Sequence, residues 1–234
     1  MARFERIVLH IPHSSPVFPF GYGRWSQGID AHVARWTDWY TDWIFTEAAR
    51  QDEGIRPVIF PFSRFFCDVE RLEDDPLEKV GQGIVYQRFD DCSRALDDES
   101  GQMILDRFYR AHIRNIRSLL TPSTFLIDCH SFPSDLSDVE VCIGVNDDWS
   151  RPDERLVQAS LAIFKECGFL ARLNEPYSNS LSPAMPFPYS SMMIELNKNI
   201  YLDNGGRLDY ERAASVIAAI GEMYQYIRCF RASG

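Results

Sequence analysis

Short apolar runs alternate along the chain with longer stretches of helical periodicity, and this alternation limits the possible folds more than any other feature of the sequence. Strand-like runs occupy residues 7–11, 55–60, 124–127, 139–145 and 192–196. Helical patterns occupy residues 33–50, 102–120, 151–167 and 210–230. Because strands that alternate with helices pack in layers around one sheet, the sequence predicts an α/β fold.

The size of the chain suits one domain. It has 234 residues, 45% of them hydrophobic, and its five tryptophans and 16 phenylalanines can fill a sizeable core. The sequence contains no internal repeat and no linker that would divide it. We therefore predict a single domain over residues 1–234.

The charge balance limits the partners of this protein. Asp and Glu number 34 against 24 Lys and Arg, and the net charge is −10. Without a long basic run, a body of this charge repels nucleic acids and anionic membranes, so we expect neither as a partner.

No apolar run approaches the ~20 residues that span a bilayer, and the one at the N-terminus is too short for a signal peptide. Six scattered cysteines without a CxxC pair favour free thiols in the cytoplasm.

Three of the predicted strands lead into polar side chains that can do chemistry. His13 follows the first strand, His130 follows the run 124–127, and Glu195 belongs to the last strand. The loops at the carboxyl ends of strands in an open α/β sheet converge on one crevice, so the three side chains could share a site. Imidazole and carboxylate groups are ligands that suit zinc. Taken singly, each histidine could equally be a strand-end imidazole bonded to backbone.

Other charged residues lie among apolar ones. Arg64 and Arg71 occur in an apolar segment, where they either pair with Asp68 or Glu70 or face a pocket for a carboxylate. Asp38 lies among three tryptophans in the predicted helix 33–50, which is unusual for a carboxylate without a cation or donor to bind.

The segment 174–189 has four prolines and no regular period. It is therefore predicted to be a long loop. Loops of this length inside compact domains commonly form binding walls or lids.

Taken in order, these motifs resemble the N-formylglutamate amidohydrolase family, which is similar in fold to zinc carboxypeptidases and aspartoacylases. The matching segments are 11–14, 36–40, 63–71, 109–112, 128–131 and 194–196. The resemblance implies one three-layer α/β domain, phosphorylase/hydrolase-like or carboxypeptidase-like, with a mixed, mostly parallel sheet flanked by helices. It also implies hydrolysis of the amide bond of a small N-acyl amino acid by a metal-activated water.

The resemblance also implies roles for individual residues. It makes His13, Asp38 and His130 the ligands of one divalent metal ion, zinc. Asp38 could alternatively be a buried carboxylate that only forms hydrogen bonds. It makes Glu195 the catalytic base. The remaining residues would act on the substrate: Arg64 at the scissile carbonyl oxygen, Arg71 at a carboxylate, and His112 in substrate binding with no assigned contact.

Two departures from the family pattern leave other functions open. Glu70 stands where the family usually has asparagine, and the loop over residues 177–189 contains no Lys or Arg where the family tends to carry basic residues. The alternatives are a carboxypeptidase-like zinc peptidase and an inactive ligand-binding member of the fold. No sequence pattern indicates the oligomeric state.

Overall fold

The structure is a computed structural model that describes residues 4–73 and 75–231. Its backbone contacts divide into two compact units. The first unit contains the described residues up to Ile11, Tyr40–Val58, and those from Leu119 onward; the second contains Pro12–Trp39 and the described part of Ile59–Ser118. The single domain over residues 1–234 stays a prediction, and its residues 1–3, 74 and 232–234 lie outside the described ones.

Strands and helices alternate along the chain, as predicted. In chain order the elements are β1 (Arg6–Ile11), β2 (Arg24–Trp25), α1 (Ile29–Trp36), α2 (Thr41–Ala48), β3 (Ile55–Ile59), a 3-10 helix (Pro76–Val80), β4 (Arg88–Phe89), β5 (Cys92–Ala95), α3 (Asp98–Ile104), a π-helical turn (Leu105–Tyr109), α4 (Arg110–Leu119), β6 (Thr124–Phe132), β7 (Val141–Gly144), α5 (Glu154–Glu166), β8 (Ala171–Leu173), β9 (Ser190–Asn197), a second 3-10 helix (Lys198–Ile200) and α6 (Tyr210–Cys229).

The first unit is built on a mixed, mostly parallel six-stranded sheet flanked by helices, which confirms the predicted fold class. The strand order is β3-β1-β6-β9-β7-β8. The pairs β1–β6, β6–β9 and β7–β8 are parallel, and β7 runs antiparallel to β9. Both central strands are buried along almost their whole length, which explains why they appear in the sequence as apolar runs without polar alternation.

One large core fills the first unit. Helix α6 packs on α2 and α5 and also contacts β1. Its buried side chains recur at helical spacing and meet the apolar residues of the sheet: Val216, Ile220, Met223 and Ile227 from α6, and Leu9, Ile127, Ile143 and Ile194 from the strands. Burial of this face holds α6 on the sheet.

The second unit is smaller and rich in aromatic residues. Strands β2, β5 and β4 form an antiparallel three-stranded sheet. Aromatic rings meet edge to face at centroid distances of 4.9–5.6 Å among Tyr22, Phe62, Phe66 and Phe108. Such pairs are worth more than their buried area alone, which helps a unit with little regular structure to hold its shape.

The predicted helix over residues 33–50 is wrong, because the chain leaves the helix after Trp36 and begins a second helix at Thr41. Tyr40 has a φ of 64°, in the left-handed region that a continuous α-helix excludes. The backbone N–H of Asp38 donates to the carbonyl of His13 at 2.9 Å, outside the helical pattern. Asp38 therefore lies between two helices.

Other predicted elements differ from the structure mainly in their ends. Strand β6 continues to Phe132, so His130 lies inside the strand and not beyond its end. Pairing with β9 over the same stretch explains the extension. The irregular conformation predicted for residues 174–189 is confirmed, whereas the short strands β2, β4, β5 and β8 were missed. Within the described part of the chain, no helix has the length and apolar character needed to cross a bilayer.

Candidate active site

His13 is the first predicted site residue in the chain, and its ring is held by a carboxylate of the second unit. It follows Pro12 directly after β1 and is almost fully buried. Its Nε2 atom lies 2.8 Å from Oδ1 of Asp68. Two further carboxylate oxygens face its other nitrogen, because Nδ1 is 3.8 Å from Oδ2 of Asp38 and 3.9 Å from Oε2 of Glu70.

The surroundings of His13 favour a neutral imidazole. Burial lowers the pKa of His13, and the positive charge of Arg64 lowers it further. The carboxylates of Asp68 and Glu70 act in the opposite direction but do not reverse the shift. A neutral ring that donates from Nε2 to a carboxylate presents the lone pair of Nδ1, which is the form in which histidine binds metals.

Asp68 is the centre of a polar cluster in the second unit. Besides His13, its carboxylate accepts hydrogen bonds from Nη2 of Arg64 at 3.1 Å and from the hydroxyl of Tyr86 at 3.0 Å. The Nε atom of Arg71 lies 3.5 Å from Oδ2. Burial alone would raise the pKa of Asp68, but Arg64 and His13 hold it well below its usual range. Asp68 is therefore an ionised carboxylate that contacts four cationic or donor side chains.

The two arginines proposed for substrate contacts are both paired with carboxylates. Arg64 lies 3.9 Å from Oε2 of Glu70 in addition to its bond with Asp68. Arg71 reaches Oδ2 of Asp75 through Nη1 at 3.5 Å. Despite burial, Asp68 raises the pKa of each arginine above its ordinary value, so both guanidinium groups keep their charge. The internal ion pairs considered from the sequence are thus present.

The lowered pKa of His13 predicts a pH dependence for stability. In the unfolded chain His13 takes up a proton near its ordinary pKa of 6.5, whereas the folded protein takes it up only at lower pH. The free energy of unfolding should therefore fall as the pH drops below 6.5, by up to about 1.4 kcal/mol per pH unit until the folded pKa is reached. Urea unfolding between pH 7.5 and 5 with a chelator present measures this slope. His13→Gln should reduce it, and equal slopes in the two proteins would contradict the assignment.

In the first unit, Asp128 holds two histidines. Its Oδ1 atom lies 2.7 Å from Nδ1 of His10 and 3.0 Å from Nε2 of His130. Although burial opposes ionisation, the two histidines lower the pKa of Asp128 far below its usual range. His10 is completely buried, as expected for a structural residue. Nε2 of His130 is thus at ion-pair distance from Asp128, without the hydrogen-bond geometry that His10 has to the same oxygen.

The pairing of β6 with β9 brings together two of the predicted site residues. His130 and Glu195 are direct partners in the parallel register of these strands. Paired residues of neighbouring strands project their side chains to the same face of a sheet. Both residues are mostly buried, and the side chain of Glu195 is one of few carboxylates in the sheet. The strand register therefore places the carboxylate of Glu195 beside the imidazole of His130.

The proline-rich loop over residues 174–189 is anchored to this part of the first unit. The backbone N–H of Leu181 donates to Oδ2 of Asp128 at 2.9 Å, and the hydroxyl of Tyr189 donates to the carbonyl of Pro183 at 2.7 Å. Asn146 donates to the carbonyl of Ser180 at 3.0 Å. These bonds fix the loop as a wall next to the histidine-bearing strand.

His112 lies on α4 and is buried in the second unit. Its ring meets the ring of Phe60 edge to face at a centroid distance of 5.3 Å.

Asp68 and Asp128, the two carboxylates beside the site histidines, have no such role in the sequence-based prediction. Asp128 precedes His130 by two residues in a strand, a spacing that puts both side chains on one face and could have identified it. Asp68 was considered only as an ion-pair partner of an arginine. Tyr86, which donates to Asp68, carries no sequence signal because it lies in an irregular segment.

Comparison with known proteins gives a family match for the sequence and similar solved structures. The sequence matches the family model of N-formylglutamate amidohydrolase over residues 5–202. No match was found among curated proteins. Among solved structures, the N-formylglutamate amidohydrolase from Ralstonia eutropha JMP134 is similar, with 19% identity, a TM-score of 0.79, and coverage of 97% of this chain and 93% of that one.

A second similar structure is a gene product of Agrobacterium tumefaciens. It has 17% identity and a TM-score of 0.69, and the alignment covers 96% of this chain and 92% of that one. At these identities the two structures support the shared fold. The family match extends over most of the sequence, and the chain belongs to the N-formylglutamate amidohydrolase family.

Proposed function

We propose that this protein is a metal-dependent amidohydrolase that cleaves the amide bond of a small N-acyl amino acid with an activated water. The observation that carries the proposal is the direct pairing of His130 with Glu195, next to the carboxylate of Asp128 that holds the histidine. A fixed metal-binding imidazole beside a carboxylate able to accept a proton is the arrangement that metal-assisted hydrolysis needs. Membership of an amidohydrolase family supports the same reaction.

The proposed metal ligands are His13, Asp38 and His130, and the proposed ion is zinc. Both histidines fit this role because each imidazole lies beside a buried carboxylate: Nε2 of His13 is hydrogen-bonded to Asp68, and Nε2 of His130 lies 3.0 Å from Asp128. Two imidazoles and one carboxylate suit zinc and leave a position for water.

Glu195 acts as the base and then as the acid. A divalent metal bound by these residues supplies polarisation of the amide carbonyl and lowers the pKa of water toward ~7. A carboxylate oxygen of Glu195 accepts the proton of the attacking water and passes it to the leaving nitrogen.

The basic residues of the second unit act on the substrate. Arg64 stabilises the negative charge that develops on the carbonyl oxygen, and Arg71 binds the carboxylate of the amino acid. Asp68 keeps both guanidinium groups in place before the substrate arrives, which avoids the cost of ordering two flexible side chains. His112 contributes to substrate binding beside Phe60.

We also propose that the protein works in the cytoplasm. All six cysteines are free thiols, and four of them are buried. Reduced, buried cysteines are typical of proteins from reducing compartments.

The proposal is tested by a screen of formyl-, acetyl- and succinyl-amino acids with zinc-loaded protein. We expect release of the free amino acid from at least one acyl class, at a rate that falls to background when the metal is removed. Turnover of peptides without turnover of acyl-amino acids would instead support the peptidase alternative. Stoichiometric zinc without any turnover would support the inactive ligand-binding alternative.

Asp68→Asn should weaken zinc binding without preventing folding. The amide is of equal size but carries no charge, so His13 loses its ionic partner at Nε2. Removal of such a partner typically costs about 10–100-fold in metal affinity. Competition with a chromophoric chelator measures the zinc dissociation constant, and circular dichroism checks the fold. An unchanged dissociation constant would mean that His13 does not bind the metal through the ring that Asp68 orients.

A further inference from the structure

Carboxylates outnumber arginines in the polar cluster of the second unit. Arg64 contacts Asp68 and Glu70, and Arg71 contacts Asp68 and Asp75. Asp38 adds a fourth carboxylate beside the ring of His13. Each guanidinium group therefore already faces two negative charges before any substrate binds.

The charge balance of this cluster limits what it can attract. Four carboxylates and two guanidinium groups carry a net charge of −2, and one divalent cation balances it. A single substrate carboxylate can still be bound by the forked N–H groups of an arginine. A second carboxylate would enter a partly buried site without surplus positive charge, and such an unpaired charge is costly.

Glu70 is more exposed than Asp68, so a negatively charged substrate group would approach Glu70 first. Its backbone N–H donates to Oδ1 of Asp68 at 3.2 Å, which fixes its position in the cluster. Its side chain is 28% exposed, whereas that of Asp68 is fully buried. Of these two carboxylates, Glu70 is the one that solvent or a ligand can reach. Its Oε2 atom lies 3.9 Å from Nη2 of Arg64, close enough to reduce the attraction of that arginine for another anion.

The proline-rich loop of the first unit carries no basic side chain. Residues 177–189 contain no Lys or Arg. The chain as a whole has a net charge of −10, so its long-range field also repels anions.

From these contacts we infer that Glu70 is a specificity-determining residue that selects N-acyl amino acids with an uncharged or cationic side chain against those with an acidic one. This inference rests on the proposed function and names its substrate class. It differs from the activity that the family name describes, because N-formylglutamate carries two carboxylates.

The test compares two substrates of equal shape that differ by one charge, N-formyl-L-glutamine and N-formyl-L-glutamate. The zinc-loaded protein should have a kcat/KM for the glutamine compound at least about tenfold higher than for the glutamate compound. Glu70→Gln should reduce this ratio by about tenfold, mainly through the KM of the glutamate compound. Glu73→Gln is the matched control, since it removes the same charge from an exposed residue that pairs with Arg110, and it should leave the ratio unchanged.

Binding of the two products, L-glutamine and L-glutamate, to the zinc-loaded proteins is measured in parallel by calorimetry. This arm does not need turnover, so the charge selection is tested even if the proposed hydrolysis fails. Preference of the unchanged protein for the glutamate compounds, or an unchanged ratio in Glu70→Gln, would overturn the inference. Loss of stoichiometric zinc in Glu70→Gln would also overturn it, because Glu70 would then be a metal ligand.

Discussion

Glu195→Gln is expected to lower kcat for N-acyl amino acid hydrolysis by about 10³-fold while leaving zinc bound. Glutamine has the shape of glutamate but cannot accept the proton of the attacking water. Glu195 is paired with His130 across β6 and β9, and the amide keeps the size of the side chain in this buried place. The fold and the metal content should therefore be preserved while proton transfer is lost. Single-substrate kinetics and metal analysis of the same preparation measure both effects.

A control substitution distinguishes the loss of the catalytic base from the mere loss of one negative charge. Glu140→Gln also removes one carboxylate from the first unit, where Glu140 accepts the backbone N–H of Leu170, and it should leave kcat within about twofold. If Glu195→Gln kept most of the activity, Glu195 would not be the base. If it lost zinc together with activity, Glu195 would be a metal ligand.

His130→Ala is expected to abolish both zinc retention and hydrolysis. The substitution removes one of three proposed ligands and leaves Asp128 without one of its two histidine partners. Because a metal site with two remaining protein ligands binds far more weakly, activity should fall to background, a loss of several orders of magnitude. Metal analysis after dialysis and a kinetic assay with added zinc measure the loss.

The control for this change is His32→Ala. His32 lies on α1 and packs against Phe89, apart from every residue to which a site role is assigned. We expect full zinc content and full activity in this variant. Full zinc content in His130→Ala would mean that the metal site has been assigned to the wrong residues.

Much of the fold could be predicted because its strands are buried on both faces. Such strands appear in the sequence as short apolar runs, which is how residues 7–11 and 192–196 were identified. The same pattern identified His13, His130 and Glu195 as polar residues next to apolar strands. The direct pairing of His130 with Glu195 could not be predicted, because it depends on the order and register of strands that are distant in sequence.

The remaining differences arise from tertiary contacts that have no local signal. Asp38 lies in a stretch with helical periodicity, yet its backbone N–H pairs with the carbonyl of His13, 25 positions earlier in the chain. Asp68 gathers its partners from segments on both sides of it in the sequence, so no single motif indicates its role. The roles of Asp38 and Asp68 are therefore evident only from their contacts in the folded structure.

The central claim is that hydrolysis depends on a metal ion held by His13 and His130. It is tested most directly by stripping the unchanged protein with a chelator, measuring bound metal and N-acyl amino acid hydrolysis, and then adding zinc back. We predict that hydrolysis disappears with the metal and returns in proportion to zinc, reaching its maximum at one ion per chain. Undiminished hydrolysis in fully metal-free protein would contradict the account.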